Sequence, residues 1–220
     1  MMGDDVKSPV VESEPGAAFE DGPVLSSSCK RQVANAISHI LQAVGEDPTR
    51  QGLAKTPARV ARMYDELLVG YTQDPADVLN GALFDVEYDE MVTVSDIEFY
   101  SMCEHHLLPF VGRVHVAYLP DKRIVGLSKI PRIVDVFARR LQVQERMTRQ
   151  IADFLQDLIR PKGVAVIADA MHMCMMVRGV KKTHARVRTS ALTGAFKDDA
   201  KIRDEFLNRI SLGGGPNHLV

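Results

Sequence analysis

The stretch CEHHLLPFVGRVHVAYLP, residues 103–120, decides how the rest of the chain is read, because two kinds of information lie side by side in it. In its second half Val114, Val116 and Tyr118 alternate with Arg113, His115 and Ala117. A period of two is what a strand with unlike faces produces, so sheet is expected here. In its first half Cys103, Glu104, His105 and His106 pack a thiol, a carboxylate and two imidazoles into four consecutive positions. Cys103 and His106 stand at C-x-x-H spacing, and a turn lets both point at one ion.

Working outward, a second strand is expected over 91–99, and the short segment IVGLS, residues 124–128, comes before the next helical spacing. Helical spacing then returns with Ile130, Ile133, Val134, Phe137 and Leu141, and again with Val143, Met147, Ile151, Phe154 and Leu158, which reads as two helices, joined or consecutive. Strand-like runs follow at 163–170, 172–177 and 186–195, and a closing amphipathic helix carries Ile202, Phe206 and Ile210. Upstream, Val33, Ile37, Ile40, Leu41 and Val44 share one helical face behind N-cap serines at 26–28, with Gly45 as the stop. Thr56 as N-cap and Pro57 in the first turn open a second helix through Val60, Met63, Leu67 and Leu68, ending at Gly70. Helices, strands, helices, strands and a last helix make an α+β pattern.

The length of 220 residues suits one domain, placed at 28–210 with N-terminal helices over 30–70 and a core over 90–210. Residues 1–27, rich in Asp, Glu, Ser, Pro and Gly, bury too little to offset ordering entropy and are expected to be a disordered acidic tail. Residues 211–220 are expected to be a loose end. An apolar fraction of 45% and a charged fraction of 25% are ordinary globular values. The formal charge of −2 gives no global footprint for nucleic acid or an anionic membrane. No apolar run approaches the roughly 20 residues of a membrane span, and the start lacks the order of a signal peptide, so a cytoplasmic protein with no membrane partner is expected. Cys29, Cys103 and Cys174 are too few, and odd in number, for a disulfide framework, which leaves the thiols for metal or chemistry.

The second half of the metal signal is HMCMMVRG, residues 172–179, where His172 and Cys174 are two apart on an expected strand and would project from one face. Soft thiolate with imidazole suits zinc before iron or copper. The plain alternative is that these are buried core cysteines and satisfied histidines. Against it, both cysteines outside the tail lie within three residues of a histidine. Spacing alone chooses neither His105 nor His106, and leaves His172 open as a fourth ligand. Four protein ligands would close a structural site, whereas three would leave a position for water.

With these segments in view the chain resembles the GTP cyclohydrolase I family over residues 31–210. The resemblance is carried by CEHHLLPFVGRVHVAYLP, by GLSKIPRIVDVFARRLQVQERMTRQIA, by HMCMMVRGV and, more weakly, by TPARVARMY. It implies one zinc ion per subunit, held by Cys103, His106 and Cys174 with water in the fourth position. It further implies hydrolysis and rearrangement of GTP to 7,8-dihydroneopterin triphosphate and formate, the opening step of tetrahydrofolate and pterin biosynthesis. His105 would then be the general acid toward purine N7 and His172 a second proton carrier. Glu145, with Gln144 beside it in QVQER, would take the donor edge of guanine. Lys129, Arg132, Arg178 and Arg62 would face the triphosphate and Ser128 the ribose, with Arg139 and Arg140 as weaker candidates. The fold implied is the tunnelling fold, an antiparallel sheet with helices on one face. Its sheets join into a barrel in a homo-oligomer, a decamer of two pentamers, with sites between subunits.

Each assignment has a plainer reading beside it. Glu145 could merely complement a helix dipole, Ser128 could be a helix cap, and His172 could orient a neighbour. The run Lys181, Lys182, His184, Arg186 and Arg188 is expected to be a solvated face rather than a nucleic-acid contact. Two other functions fit parts of the pattern. One is a binding module stabilised by a closed zinc site. The other is a related deazaguanine nitrile reductase, which would not need both the CEHH and HMC segments.

Overall fold

The computed structural model describes residues 24–213. Most of the expected tail therefore lies outside the described residues. Val24 to Ser27 belong to the body: the Leu25 N–H donates to Asp65 at 2.7 Å, and Ser26 caps the first helix by accepting from the Cys29 N–H. That helix, α1, spans Ser27–Ala43, six residues earlier than the apolar pattern begins. Helix α2, Thr56–Leu67, keeps Pro57 in its first turn, but Lys55 is its N-cap and Thr56 is already helical. The chain then forms a 3-10 turn at Val69–Tyr71 and a short helix α3, Pro75–Leu79. Gly70 is held between its N–H bond to the Arg139 carbonyl, 3.0 Å, and the Arg140 side chain, which donates to the Gly70 carbonyl at 2.9 Å. A Cβ there would lie 2.8 Å from the Arg139 oxygen, so only glycine permits this approach.

The strands are β1, Leu83–Asp85; β2, Val92–Cys103; β3, Pro109–Leu119; and β4, Arg123–Val125. Helix α4, Lys129–Ala138, the two-residue β5, Leu141–Gln142, and helix α5, Gln144–Ile159, follow. Strand β6, Gly163–His172, a helical turn α6, Met173–Met176, strand β7, Val187–Leu192, α7, Ala195–Asp198, and α8, Ala200–Gly213, complete the chain. The last helix thus reaches three residues into the stretch expected to be loose. Leu141 belongs to β5 rather than to the preceding helix.

The main sheet has the order β5-β2-β3-β6-β7. Its pairs are antiparallel except β2 with β5, where Met102 and Cys103 meet Leu141 and Gln142 in parallel. One face packs on α4 and α5: Val114, Val116 and Tyr118 of β3 and Val164, Val166 and Ala168 of β6 meet Ile130, Ile133, Val134, Met147, Ile151 and Leu155. All of these helical positions but Leu155 are ones that the spacing singled out, and the expected Phe154 and Leu158 pack against the same core from partly buried positions. Each such Val, Ile, Leu or Met side chain, fully buried, contributes about 1.5–3 kcal/mol of transfer free energy. Among the described residues the other face is covered at one end only, where Ala117 and Ala165 pack with Phe196 of α7 and Phe206 of α8. The α+β architecture is that of the tunnelling fold, with this C-terminal helix as an addition to the helices on the principal face. Among the described residues no helix is long and apolar enough to cross a membrane.

One expected strand is absent. Of the expected strand 172–177 only His172 is in the sheet, as the last residue of β6, because the β3–β6 ladder ends where Phe110 pairs with His172. Strand β3 starts at Pro109, and before it the chain turns away through 104–108, so no backbone remains to receive a continued β6. The unpaired segment satisfies its own amides by coiling into α6.

Candidate metal centre

The centre forms where β2 ends and β6 stops. Cys103 is the last residue of β2 and the first of a tight turn: its carbonyl accepts from the Leu107 N–H at 2.9 Å and the His106 N–H at 3.3 Å, and its own N–H donates to Leu108 O at 2.9 Å. Leu107 takes a positive φ of 51° to close that turn. The result is that His106 folds back toward Cys103, with Sγ to Nδ1 at 3.8 Å. On the other side Cys174 sits in α6, so the helical turn rather than a shared strand face brings it in and separates its direction from that of His172.

The ligand atoms of Cys103, His106 and Cys174 all lie within 4.8 Å of one another. Zinc bond lengths near 2.3 Å to sulfur and 2.0–2.1 Å to nitrogen predict ~3.6 Å between S and N donors of a tetrahedron, close to the Cys103–His106 distance. Two thiols and an imidazole at this spacing therefore fit a metal ion, and leave a fourth direction without a protein donor among the described residues. His172 is not part of the cluster. Burial, and after it the neighbouring Cys103, push the Cys174 thiol above the usual thiol range.

His105 lies beside the cluster with its side chain 64% exposed and its Nδ1 4.0 Å from Cys103 Sγ. His172 is held from two sides. Its ring stacks on Phe110 at 4.5 Å with only 4° between planes, and its Nε2 lies 2.9 Å from Gln144 Oε1. The Gln144 amide nitrogen faces acceptors at Val187 O, 2.9 Å, Ala168 O, 3.1 Å, and Thr189 Oγ1, 3.1 Å. With its NH2 turned to those carbonyls, the amide oxygen is an acceptor, so His172 donates from Nε2 and keeps Nδ1 as an acceptor. Burial lowers the pKa of His172, and the carboxylate of Glu145 acts against that.

Glu145 is exposed in the first turn of α5, close enough to His172 to exert that effect. Gln144, expected beside it at the substrate, is instead 1% exposed and lies beneath His172. Arg178 is exposed just beyond α6, and its charge acts on Cys174. Ser128 is the N-cap residue of α4 but its hydroxyl makes no capping bond; Lys129 opens that helix and Arg132 is exposed on it. Arg62 is exposed on α2. Within the described residues these last four make no hydrogen bond or ion pair with the cluster. Arg140 is committed elsewhere, to Gly70 O and Val136 O and over the ring of Phe137.

Two residues of the neighbourhood carried no site assignment from the sequence. Phe110 read only as part of a strand, yet it is the platform for His172. Arg146 pairs with Glu104 and also donates to Gln142 Oε1 at 3.1 Å, tying the turn to the start of α5 and holding the Glu104 carboxyl below the usual range. Nothing in the spacing of residues 42 apart signals such a pair.

The sheet, the helices across it and the three converging donors define an α+β protein of the tunnelling-fold type with a side-chain cluster that can hold a metal ion. The family model described as GTP cyclohydrolase I matches residues 33–211. The chain is 57% identical over 179 residues to GTP cyclohydrolase 1 of Leptospira biflexa, which covers 81% of this chain and 98% of that one. It is 56% identical over 178 residues to that of Chlorobaculum tepidum, 81% and 80%, and 53% identical over 178 residues to that of Rattus norvegicus, 81% and 74%. The chain belongs to the GTP cyclohydrolase I family.

Proposed function

We propose that the protein hydrolyses and rearranges GTP to 7,8-dihydroneopterin triphosphate and formate, using one zinc ion held by Cys103, His106 and Cys174. The observation that carries this reading is that the two motif segments, far apart in the chain, bring three soft donors within 4.8 Å in a member of this family. When bound, the ion supplies Lewis acidity that brings a coordinated water's pKa toward neutrality.

The chain's own groups manage protons and substrate. Purine C8 resists attack until N7 is protonated, and the exposed imidazole of His105, 4.0 Å from Cys103 Sγ, would donate that proton. His172, locked in one orientation by Phe110 and Gln144, presents Nδ1 as an acceptor and serves as the second proton carrier. Glu145 accepts from N1–H and the exocyclic amine of guanine, a bidentate match for a carboxylate. Ser128 meets the ribose, and Lys129, Arg132, Arg178 and Arg62 supply the local positive charge that a triphosphate requires of a chain with net charge −2. The spread of these cations over α2, α4 and the α6 end supports sites completed between subunits of a homo-oligomer, a decamer of two pentamers. The product would open tetrahydrofolate and pterin biosynthesis in the cytoplasm.

The direct test incubates metal-replete protein with GTP and looks for formate together with the fluorescent oxidised neopterin. Cys174→Ala should remove both products and the bound metal. Full turnover in that variant would refute the ligand assignment. Unfolding on chelation, in place of loss of turnover with the fold retained, would point to a structural ion.

A further inference from the structure

Among the described residues the sheet face opposite α4 and α5 is open beyond the end that α8 covers, and it carries a row of charge across four strands. Glu98 of β2 pairs in register with Arg113 of β3, Arg113 with Asp169 of β6, and Asp169 with Arg188 of β7. The signs alternate along the row, and the ion pairs divide it into two groups. On the β2 side Arg113 Nη1 lies 3.0 Å from Asp96 Oδ1, with Glu98 exposed beyond it: two carboxylates to one guanidinium. On the β7 side Asp169 receives Arg186 at 2.7 Å and Arg188 at 2.9 Å: two guanidinia to one carboxylate. One margin of the face therefore holds a surplus negative charge and the other a surplus positive charge. The Arg188 side chain remains 74% exposed despite its pair.

Both margins are open strand edges. Strand β5 covers β2 only at Met102 and Cys103, and β7 has no second neighbour among the described residues. Strands β2, β3, β6 and β7 are successively antiparallel, so β2 and β7 run in opposite directions. Setting β7 of one copy against β2 of another continues the antiparallel ladder without reversing the sheet. The same move sets Arg186 and Arg188 against Asp96 and Glu98, extending the alternation of sign from one copy to the next. Joining unlike edges is a head-to-tail contact, which forms a closed ring where the rotation closes. An edge joined in this way is also protected from indiscriminate strand pairing.

We propose that Asp96 and Glu98 on β2, with Arg188 on β7 and Arg186 just before that strand, form an electrostatic latch between copies of this chain, selecting the edge-to-edge partner and its register. The proposal rests on the homo-oligomeric reading above and adds which residues decide the joint. Cross-strand opposite charges favour a register and like charges oppose it, so the latch contributes orientation as well as affinity.

The test measures self-association of the full chain by sedimentation velocity across protein concentration and salt. Glu98→Arg and Arg188→Glu should each raise the subunit dissociation constant at least tenfold at low salt. The double variant, with the signs exchanged, should return it to within about threefold of the original. The neutral pair Glu98→Gln and Arg188→Gln should flatten the salt dependence while circular dichroism and metal content stay unchanged, which separates a lost latch from a lost fold. Single reversals that assemble like the original chain, or a double variant no better than its parents, would overturn the latch while leaving the oligomer intact. An unmodified chain that stays monomeric at micromolar concentration would overturn the oligomer reading with it.

Discussion

Gln144→Leu tests what the buried amide does. In the structure it accepts from His172 Nε2 at 2.9 Å and turns its NH2 to Val187 O, Ala168 O and Thr189 Oγ1. Leucine keeps the volume and removes all of these. The hydrogen bond to the imidazole has a net worth of about 0.5–1.5 kcal/mol, and if that energy is used to hold His172 in its working orientation, kcat falls about 2- to 12-fold. The Phe110 stack survives, so the ring keeps its plane and loses its rotational setting. Buried acceptors that lose their donor cost a further ~1–3 kcal/mol of folding stability. Steady-state kinetics on GTP below the unfolding temperature, with metal content and urea unfolding measured on the same preparation, should show lower kcat, a KM changed by less than about twofold, and full metal. A KM raised tenfold at unchanged kcat would refute the reasoning, since it would mean that Gln144 touches the base and not the imidazole.

Other consequences can be measured independently. Gly112→Ala places a methyl 2.6 Å from the Ala170 Cα, forcing β3 and β6 apart beside the Phe110–His172 pair; a loss of about 1–3 kcal/mol in chemical denaturation is expected. Metal binding requires deprotonated thiols, and burial together with Cys103 holds the Cys174 thiol high, so zinc affinity of the apo-protein should rise with pH from 6 to 8 with release of protons; a pH-independent affinity by competition titration would contradict the ligand set. The pKa of His115 is lowered mainly by burial, and its Nδ1 accepts from the Asp96 N–H at 3.2 Å. The unfolded chain therefore takes up the proton first, and His115 lowers stability as pH falls below its ordinary value near 6.5. His115→Asn, which keeps an acceptor near that position, should make the unfolding midpoint less sensitive between pH 7.5 and 5.5.

The secondary structure was legible wherever one element buries one face. Ile130, Ile133, Val134 and Phe137, or Met147, Ile151 and Leu155, repeat at helical spacing because a single sheet face takes them up. Segment 172–177 misled because its apolar residues would suit a strand, and only the end of the ladder at Phe110 forbids one. The candidate donors were legible by residue type and by resemblance, while the contacts of Gln144 were not, since its partners come from β6 and β7, 24 to 45 positions away.

By itself the sequence determined the helical and extended periods, the two segments CEHH and HMC that hold the soft donors, and membership of a family through long local motifs. These are properties of neighbouring residues, and neighbours in the chain are enough to specify them. Only the tertiary structure decided that Cys174 arrives on a helical turn, that Phe110 and Gln144 hold His172, and that the two sheet margins carry opposite surplus charge. Each of these depends on which strands lie side by side and where their pairing stops, and register across a sheet is a relation between distant segments that no local pattern encodes.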